Sequence, residues 1–247
     1  VLGLPLISRD EGVALLGIDA RRPSLELSAI DAPTPLSPHT SGLFHVAWLH
    51  PTRAALADTV LRIADARWPI EGASDHGVSE SLYLSDPDGL GIEVYADRPR
   101  ERWQRPADGR GVVMFTAALD LDDLIEQASA GRGGGANSSV APGTSIGHVH
   151  LKVSDVERAI AFYRDSLGFE EQARLPSAGF LSAGGYHHHI GVNSWQSQGA
   201  AGPPASAPQL LEIDFELEHA SAQTLSDPDG IELRFARAGA SEPLGAR

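Results

Sequence analysis

Two glutamates in matching surroundings carry the first chemical signal. Glu93 stands in SLYLSDPDGLGIEVYAD (81–97) between Ile92 and Val94, and Glu232 takes its place in AQTLSDPDGIELRFAR (222–237). Imidazoles accompany them: His45 in GLFHVAWL (42–49) and His148 in IGHVHLKV (146–153). Glu26, in PSLELSAI (23–30), adds a carboxylate, and Glu212 occupies in the last module the position that His45 holds earlier. Imidazole and carboxylate without thiolate suit a divalent cation such as Fe, Mn, Ni, Co or Zn. A carboxylate at the floor of a concavity needs such a partner, or an arginine, because a lone buried ion costs several kcal/mol. His76 and Tyr83 could move protons beside a metal. His187-His188-His189, read as part of a strand, put His187 and His189 on one face and His188 with Ile190 and Val192 on the other. A single strand glutamate usually faces solvent, and a lone histidine is usually just hydrogen-bonded. What favours a metal is the coincidence of face and strand position across a repeat, stronger for the first half than for the second, where Glu212 replaces a histidine.

The elements that must position these groups follow from periodicity. Asp86-Pro87-Asp88-Gly89 is a turn: proline presets φ and glycine tolerates a positive one. Alternation in the strand after it sends Glu93 and Tyr95 to one face and Ile92 and Val94 to the other. Likewise His45, Ala47 and Leu49 oppose Phe44, Val46 and Trp48, and His148, His150 and Lys152 oppose Val149, Leu151 and Val153. Thr52 is placed to cap a helix running to about Ala66, with Leu56, Val60 and Ile63 at helical spacing. Ser154 or Asp155 caps a second, on which Val156, Ile160, Tyr163 and Leu167 form one stripe closed by Gly168. Tyr186–Trp195 and Leu210–Leu217 read as strands. The chain is an internal duplication of a strand–helix–three-strand module, about four times over, with the first and last copies incomplete. The expected fold class is α+β: paired βαβββ modules forming two curled, mostly antiparallel sheets with helices on the outer face. The expected domains are residues 1–118, whose opening strand and helix are missing from the sequence, a helix and Gly-rich linker at 119–144, and a second domain at 145–247.

Composition excludes other classes. None of the 247 residues is cysteine, which removes disulfides, thiolate metal sites, iron–sulfur clusters and a cysteine nucleophile. A formal net charge of −14 argues against nucleic acid and anionic membrane surfaces as partners. No apolar run approaches the ~18 residues of a membrane span, so a soluble, cytoplasmic protein is the default expectation. Four modules could satisfy their own sheet edges within one chain, so monomer and homodimer both stay open.

GHVHLKVSDVERAIAFYRDSLGF (147–169), GLFHVAWL and LYLSDPDGLGIEVYAD together resemble the vicinal-oxygen-chelate superfamily, which contains glyoxalase I, bleomycin-resistance proteins and extradiol dioxygenases. GASDHGVSESLYLSDPDG (72–89), YADRPRERW (95–103) and GGYHHHIGVNSW (184–195) resemble the two-domain bacterial catechol 2,3-dioxygenase-like branch. The resemblance implies that His45 and Glu93 are metal ligands in the first half, with a further histidine in the strand preceding Val1. It implies that Glu26 matches the extra carboxylate of glyoxalases. In the second half His148 and Glu232 match ligand positions, whereas Glu212 departs from the family's histidine. His76 and Tyr83 resemble groups near the metal of extradiol enzymes, and His188 resembles their acid–base histidine. The implied function is a metal-dependent extradiol dioxygenase, an oxidoreductase acting on a small aromatic vicinal diol, with Fe(II) favoured and Mn, Ni, Co or Zn possible. The alternatives are a glyoxalase-like lyase or isomerase using Glu26 and Glu93 with Ni or Zn, and a non-catalytic small-molecule-binding resistance protein.

Overall fold

The structure is a computed structural model describing residues 1–19, 22–128, 139–218 and 221–238. These form two compact units. The first comprises Val1–Ala29, His45–Pro87 and Gly91–His148; the second comprises Ile30–Phe44, Asp88–Leu90 and the chain from Val149 onward.

In the first unit, β1 (Leu6–Asp10), β2 (Val13–Gly17) and β3 (Pro23–Ser28) form an antiparallel meander. A complete βαβββ module follows: β4 (Gly42–His50, entering this unit at His45), α1 (Arg53–Asp65), β5 (Gly72–Asp75), β6 (Ser79–Ser85) and β7 (Gly91–Asp97). The short strand β8 (Ala117–Ala118), the helix α2 (Leu121–Glu126) and the first half of β9 (Ser145–Lys152) complete the unit. The strand order is β9-β4-β7-β6-β5-β8, with β4 parallel to β7 and the β5–β6–β7 run antiparallel.

Helix α1 forms where its stripe of apolar residues meets a capping threonine. Thr52 is extended, and its hydroxyl accepts from Ala55 N at 3.1 Å. Leu56, Val60 and Ile63 then pack on Trp48, Leu82 and Val94 from β4, β6 and β7. Each such side chain contributes about 1.5–3 kcal/mol on burial. This packing consumes the apolar face of the strands. By alternation, His45, Tyr83, Glu93 and Tyr95 are left on the opposite face.

The second unit repeats the plan. The second half of β9 leads into α3 (Val156–Asp165), then β10 (Glu170–Leu175), β11 (Ala178–Ser182) and β12 (Ile190–Asn193), in the order β10-β11-β12-β9 with β12 parallel to β9. Asp155 caps α3, accepting from Arg158 N at 3.1 Å. Ile160 and Tyr163 meet Leu151, Leu181 and Ile190 in the core. A three-stranded sheet of β13 (Glu212–Leu217), β14 (Gln223–Ser226) and β15 (Glu232–Arg237) has the order β13-β15-β14. Its last two strands join at Asp227-Pro228-Asp229-Gly230, as β6 and β7 join at Asp86–Gly89, and both closing glycines have positive φ (86° and 96°).

The fold is therefore the expected mix of helix and sheet, built on two βαβββ modules. One local reading fails. The strand expected over Tyr186–Trp195 is confined to Ile190–Asn193, and residues 186–189 form an irregular loop. There the Ser182 hydroxyl donates to the Tyr186 carbonyl at 2.6 Å, and the His187 and His188 rings meet Nδ1 to Nδ1 at 2.7 Å. Strand alternation consequently does not govern the three histidines. The glycine-rich stretch at 131–143 lies largely outside the described residues. Among the described residues no helix is long and apolar enough to cross a membrane.

Candidate metal centre

Three strands of the first unit each deliver one donor to a common point. Glu93 Oε2 from β7 lies 2.9 Å from His45 Nε2 of β4 and 3.1 Å from His148 Nε2 of β9. One ligand atom from each residue lies within 4.8 Å of the other two, and all three side chains are buried. The parallel β4–β7 register pairs His45 with Gly91 and Ala47 with Glu93, which brings the imidazole and the carboxylate alongside each other. His148 reaches them because Gly147 lets β9 approach closely. A Cβ there would run into Tyr95 Oη and stand 2.9 Å from Leu49 Cβ. Tyr95 in turn packs on the His148 ring, centroid to centroid 4.9 Å.

Burial by itself would push the Glu93 pKa up, but the His148 and His45 imidazoles outweigh it and hold the carboxyl well below its usual range. Donors sharing one ion at about 2.1 Å stand roughly 3–4 Å from one another, so this nitrogen–nitrogen–oxygen set fits a divalent first-row metal. Glu93 would balance the ion's charge, and two imidazoles with one carboxylate would leave coordination positions open.

Tyr83 lies across from Glu93 in the β6–β7 register, its ring 5.5 Å from that of His45. Burial, with the Glu93 charge adding to it, raises the phenol pKa far above its ordinary value, so the hydroxyl keeps its proton. His76, in the β5–β6 connection, places Nε2 2.7 Å from Tyr83 Oη. Its Nδ1 is 2.8 Å from the Phe115 carbonyl, which can only accept. In the neutral imidazole Nδ1 therefore carries the hydrogen, and the Tyr83 hydroxyl donates to Nε2. The connection itself is clamped. Asp75 accepts from Gly77 N at 2.8 Å and from Arg98 Nη2 at 2.7 Å, and Arg98 and Arg53 share the buried Glu80.

Residue by residue, the sequence reading is divided. His45, Glu93, His76 and Tyr83 come together. His148 joins them, whereas Glu232 and Glu212 are not part of the cluster. Glu232 and Glu212 are register partners on β15 and β13, bound by Arg234 at 2.6 and 2.7 Å, so an arginine provides their compensation. Burial and the neighbouring Glu232 push the Glu212 pKa to about 7. Glu26 is exposed on β3, outside the cluster. His188 belongs to the second unit, where its ring packs on Phe180 and lies near His150. Gly147 and Arg98, which complete the surroundings of these groups, have no counterpart among the candidate residues. Tyr95 is legible because it stands two residues past Glu93 and thus on the same strand face.

A model of the Glyoxalase/Bleomycin resistance protein/Dioxygenase superfamily matches residues 145–230. The chain is 43% identical over 222 residues to a catechol-2,3-dioxygenase of Bacillus subtilis (strain 168), covering 89% of this chain and 76% of that protein. It is 39% identical over 61 residues to biphenyl-2,3-diol 1,2-dioxygenase 3 of Rhodococcus globerulus, covering 25% of this chain and 32% of that one. Among solved structures, a Bacillus subtilis subsp. subtilis str. 168 protein provisionally described as a dioxygenase superposes with a TM-score of 0.57. That match covers 98% of this chain and 79% of the other at 12% identity, and so bears on the fold alone.

Proposed function

Since the chain belongs to the glyoxalase/bleomycin resistance protein/dioxygenase superfamily, we propose that it is a metal-dependent extradiol-type dioxygenase that opens the ring of a small catechol-like diol. The observation that carries this reading is the convergence of His45, Glu93 and His148. These residues would hold a divalent metal, and Fe(II) is the ion we assign. When bound, that ion would supply Lewis acidity towards the vicinal diol oxygens and O2.

The chain's own groups handle position and protons. Glu93 and the two imidazoles are fixed by strand register and by the Gly147–Tyr95 contact, so little reorganisation is needed on binding. Tyr83 stands beside the centre with its proton directed at His76 Nε2. A proton leaving the diol for Tyr83 Oη releases the tyrosine's own proton to His76. The imidazolium so formed keeps its Nδ1–H on the Phe115 carbonyl. His76 is only half-buried, so it can hand the proton onward to water. A glyoxalase-type reaction loses its second carboxylate, because Glu26 lies exposed on β3.

The test is anaerobic loading with Fe(II) followed by catechol and air. A yellow ring-opened semialdehyde is the expected product. Its absence across a panel of substituted catechols, or isomerase activity with Ni or Zn in place of iron, contradicts the proposal.

A further inference from the structure

The second unit buries a cation that its described residues leave largely unanswered. Lys152 follows His150 on the polar face of β9 and is 6% exposed. Its ammonium has three hydrogens to place. The described residues offer it one acceptor, the Pro38 carbonyl at a long 3.4 Å, and no carboxylate within ion-pair distance. Asn193, 1% exposed, is its register partner on the parallel strand β12. Side chains so paired leave the same face of a sheet, with strands about 4.8 Å apart. The Asn193 amide is oriented by Trp195 N, which donates to Oδ1 at 3.3 Å. That fixes Nδ2 as the free end, and it has no hydrogen-bond partner among the described residues. Ser41 Oγ, buried in the same Pro38–Ser41 loop, also has none among them.

Two adjacent buried donors whose hydrogens are left partly unused among the described residues are the inverse of a metal site. Burial lowers the Lys152 pKa, as expected for a charge taken from water without a counter-ion. We propose that Lys152 and Asn193 form a binding site for a small monoanionic oxyanion, in the first instance a carboxylate. The stoichiometry of charge favours it: one ammonium neutralises one negative charge, whereas a phosphate dianion would leave charge buried. The remaining ammonium hydrogens and the amide N–H can meet the two oxygens of a carboxylate together. The site shares no residue with the metal centre, so either assignment can fail without the other.

The experiment measures thermal unfolding of the metal-loaded full chain in carboxylate-free buffer, with acetate, benzoate or inorganic phosphate added in turn. The native chain should gain stability with rising acetate or benzoate and not with phosphate. A larger gain with benzoate than with acetate supports a ring-borne carboxylate, and an equal gain supports a simple one; both agree with the site. Lys152→Met should abolish the response and melt no lower than the native chain without anion, because it removes an uncompensated charge. Asn193→Asp places a carboxylate beside the ammonium while keeping the acceptor for Trp195 N. It should also abolish the response and should melt higher than the native chain, and it decides the matter if Lys152→Met does not fold. A native chain indifferent to carboxylates, a response that survives in Lys152→Met, a phosphate response equal to that of acetate, or a Lys152→Met chain that melts well below the native one each overturns the proposal.

Discussion

His148 Nε2 lies 3.1 Å from Glu93 Oε2 although 55 positions separate the two residues. The contact depends on how near the first half of β9 comes to Tyr95 and Leu49, and Gly147 sets that approach. Gly147→Ala should therefore cost about 1–3 kcal/mol of stability through overpacking. It should also weaken metal binding by about tenfold or more, because the His148 ring is displaced. Urea unfolding and metal titration check the two effects; unchanged metal affinity would show that the approach of β9 does not govern the centre.

Tyr83 and His76 act in series, so their removal should not add. Tyr83→Phe and His76→Ala are each expected to lower kcat by about 100-fold with metal content unchanged. The double variant should lose little more than either single one. Steady-state kinetics on metal-quantified protein tests this, and additive losses would place the two residues on separate tasks.

The Asp75–Arg98 pair holds the connection that carries His76. Asp75→Ala removes the acceptor for Gly77 N and the partner of Arg98 together. We expect kcat to fall by about tenfold with KM nearly constant, a loss within the range set by orientation of a catalytic group. Asp75→Asn keeps the Gly77 acceptor and should recover part of the rate. Equal kcat in the native and Asp75→Ala proteins would remove the clamp from the mechanism.

His50 gives the first unit a dependence on acid that has nothing to do with catalysis. Its Nδ1–H donates to the Trp48 carbonyl at 3.2 Å, its Nε2 accepts from Thr59 Oγ1 at 2.8 Å, and Arg62 donates to the same hydroxyl at 2.7 Å. Burial, above all, lowers its pKa to about 4 from 6.5. Between these values the unfolded chain takes up a proton that the folded chain refuses. The stabilisation is therefore complete above pH 6.5 and is lost as pH falls towards 4, by roughly 3 kcal/mol at most. Urea midpoints between about pH 7 and about pH 4.5 should fall more steeply for the native chain than for His50→Gln. Parallel profiles would contradict the assignment.

What the sequence discloses here is local, and what it withholds is adjacency. Period-two alternation correctly joins His45 with Ala47 and Glu93 with Tyr95, and the caps at Thr52 and Asp155 fall where hydroxyl or carboxylate precedes an apolar stripe. No periodicity states which strand lies beside β4, and that neighbour decides the third donor. The repeated Asp-Pro-Asp-Gly turn made Glu232 look equivalent to Glu93. Arg234, two residues past Glu232 and hence on its face, was the readable warning that this carboxylate already had a cation. The histidine triplet misled differently, because a loop closed by Ser182 and Tyr186 overrides the strand pattern.

Metal stoichiometry in single-residue variants tests the centre most directly. The native chain loaded anaerobically with Fe(II) should hold a single ion. His45→Ala, Glu93→Ala and His148→Ala should each retain less than about a tenth of it, as expected on deleting one of three protein ligands. Glu212→Gln and Glu232→Gln should retain it all. Full retention in His148→Ala, or loss in Glu232→Gln, would contradict the assignment of the three donors.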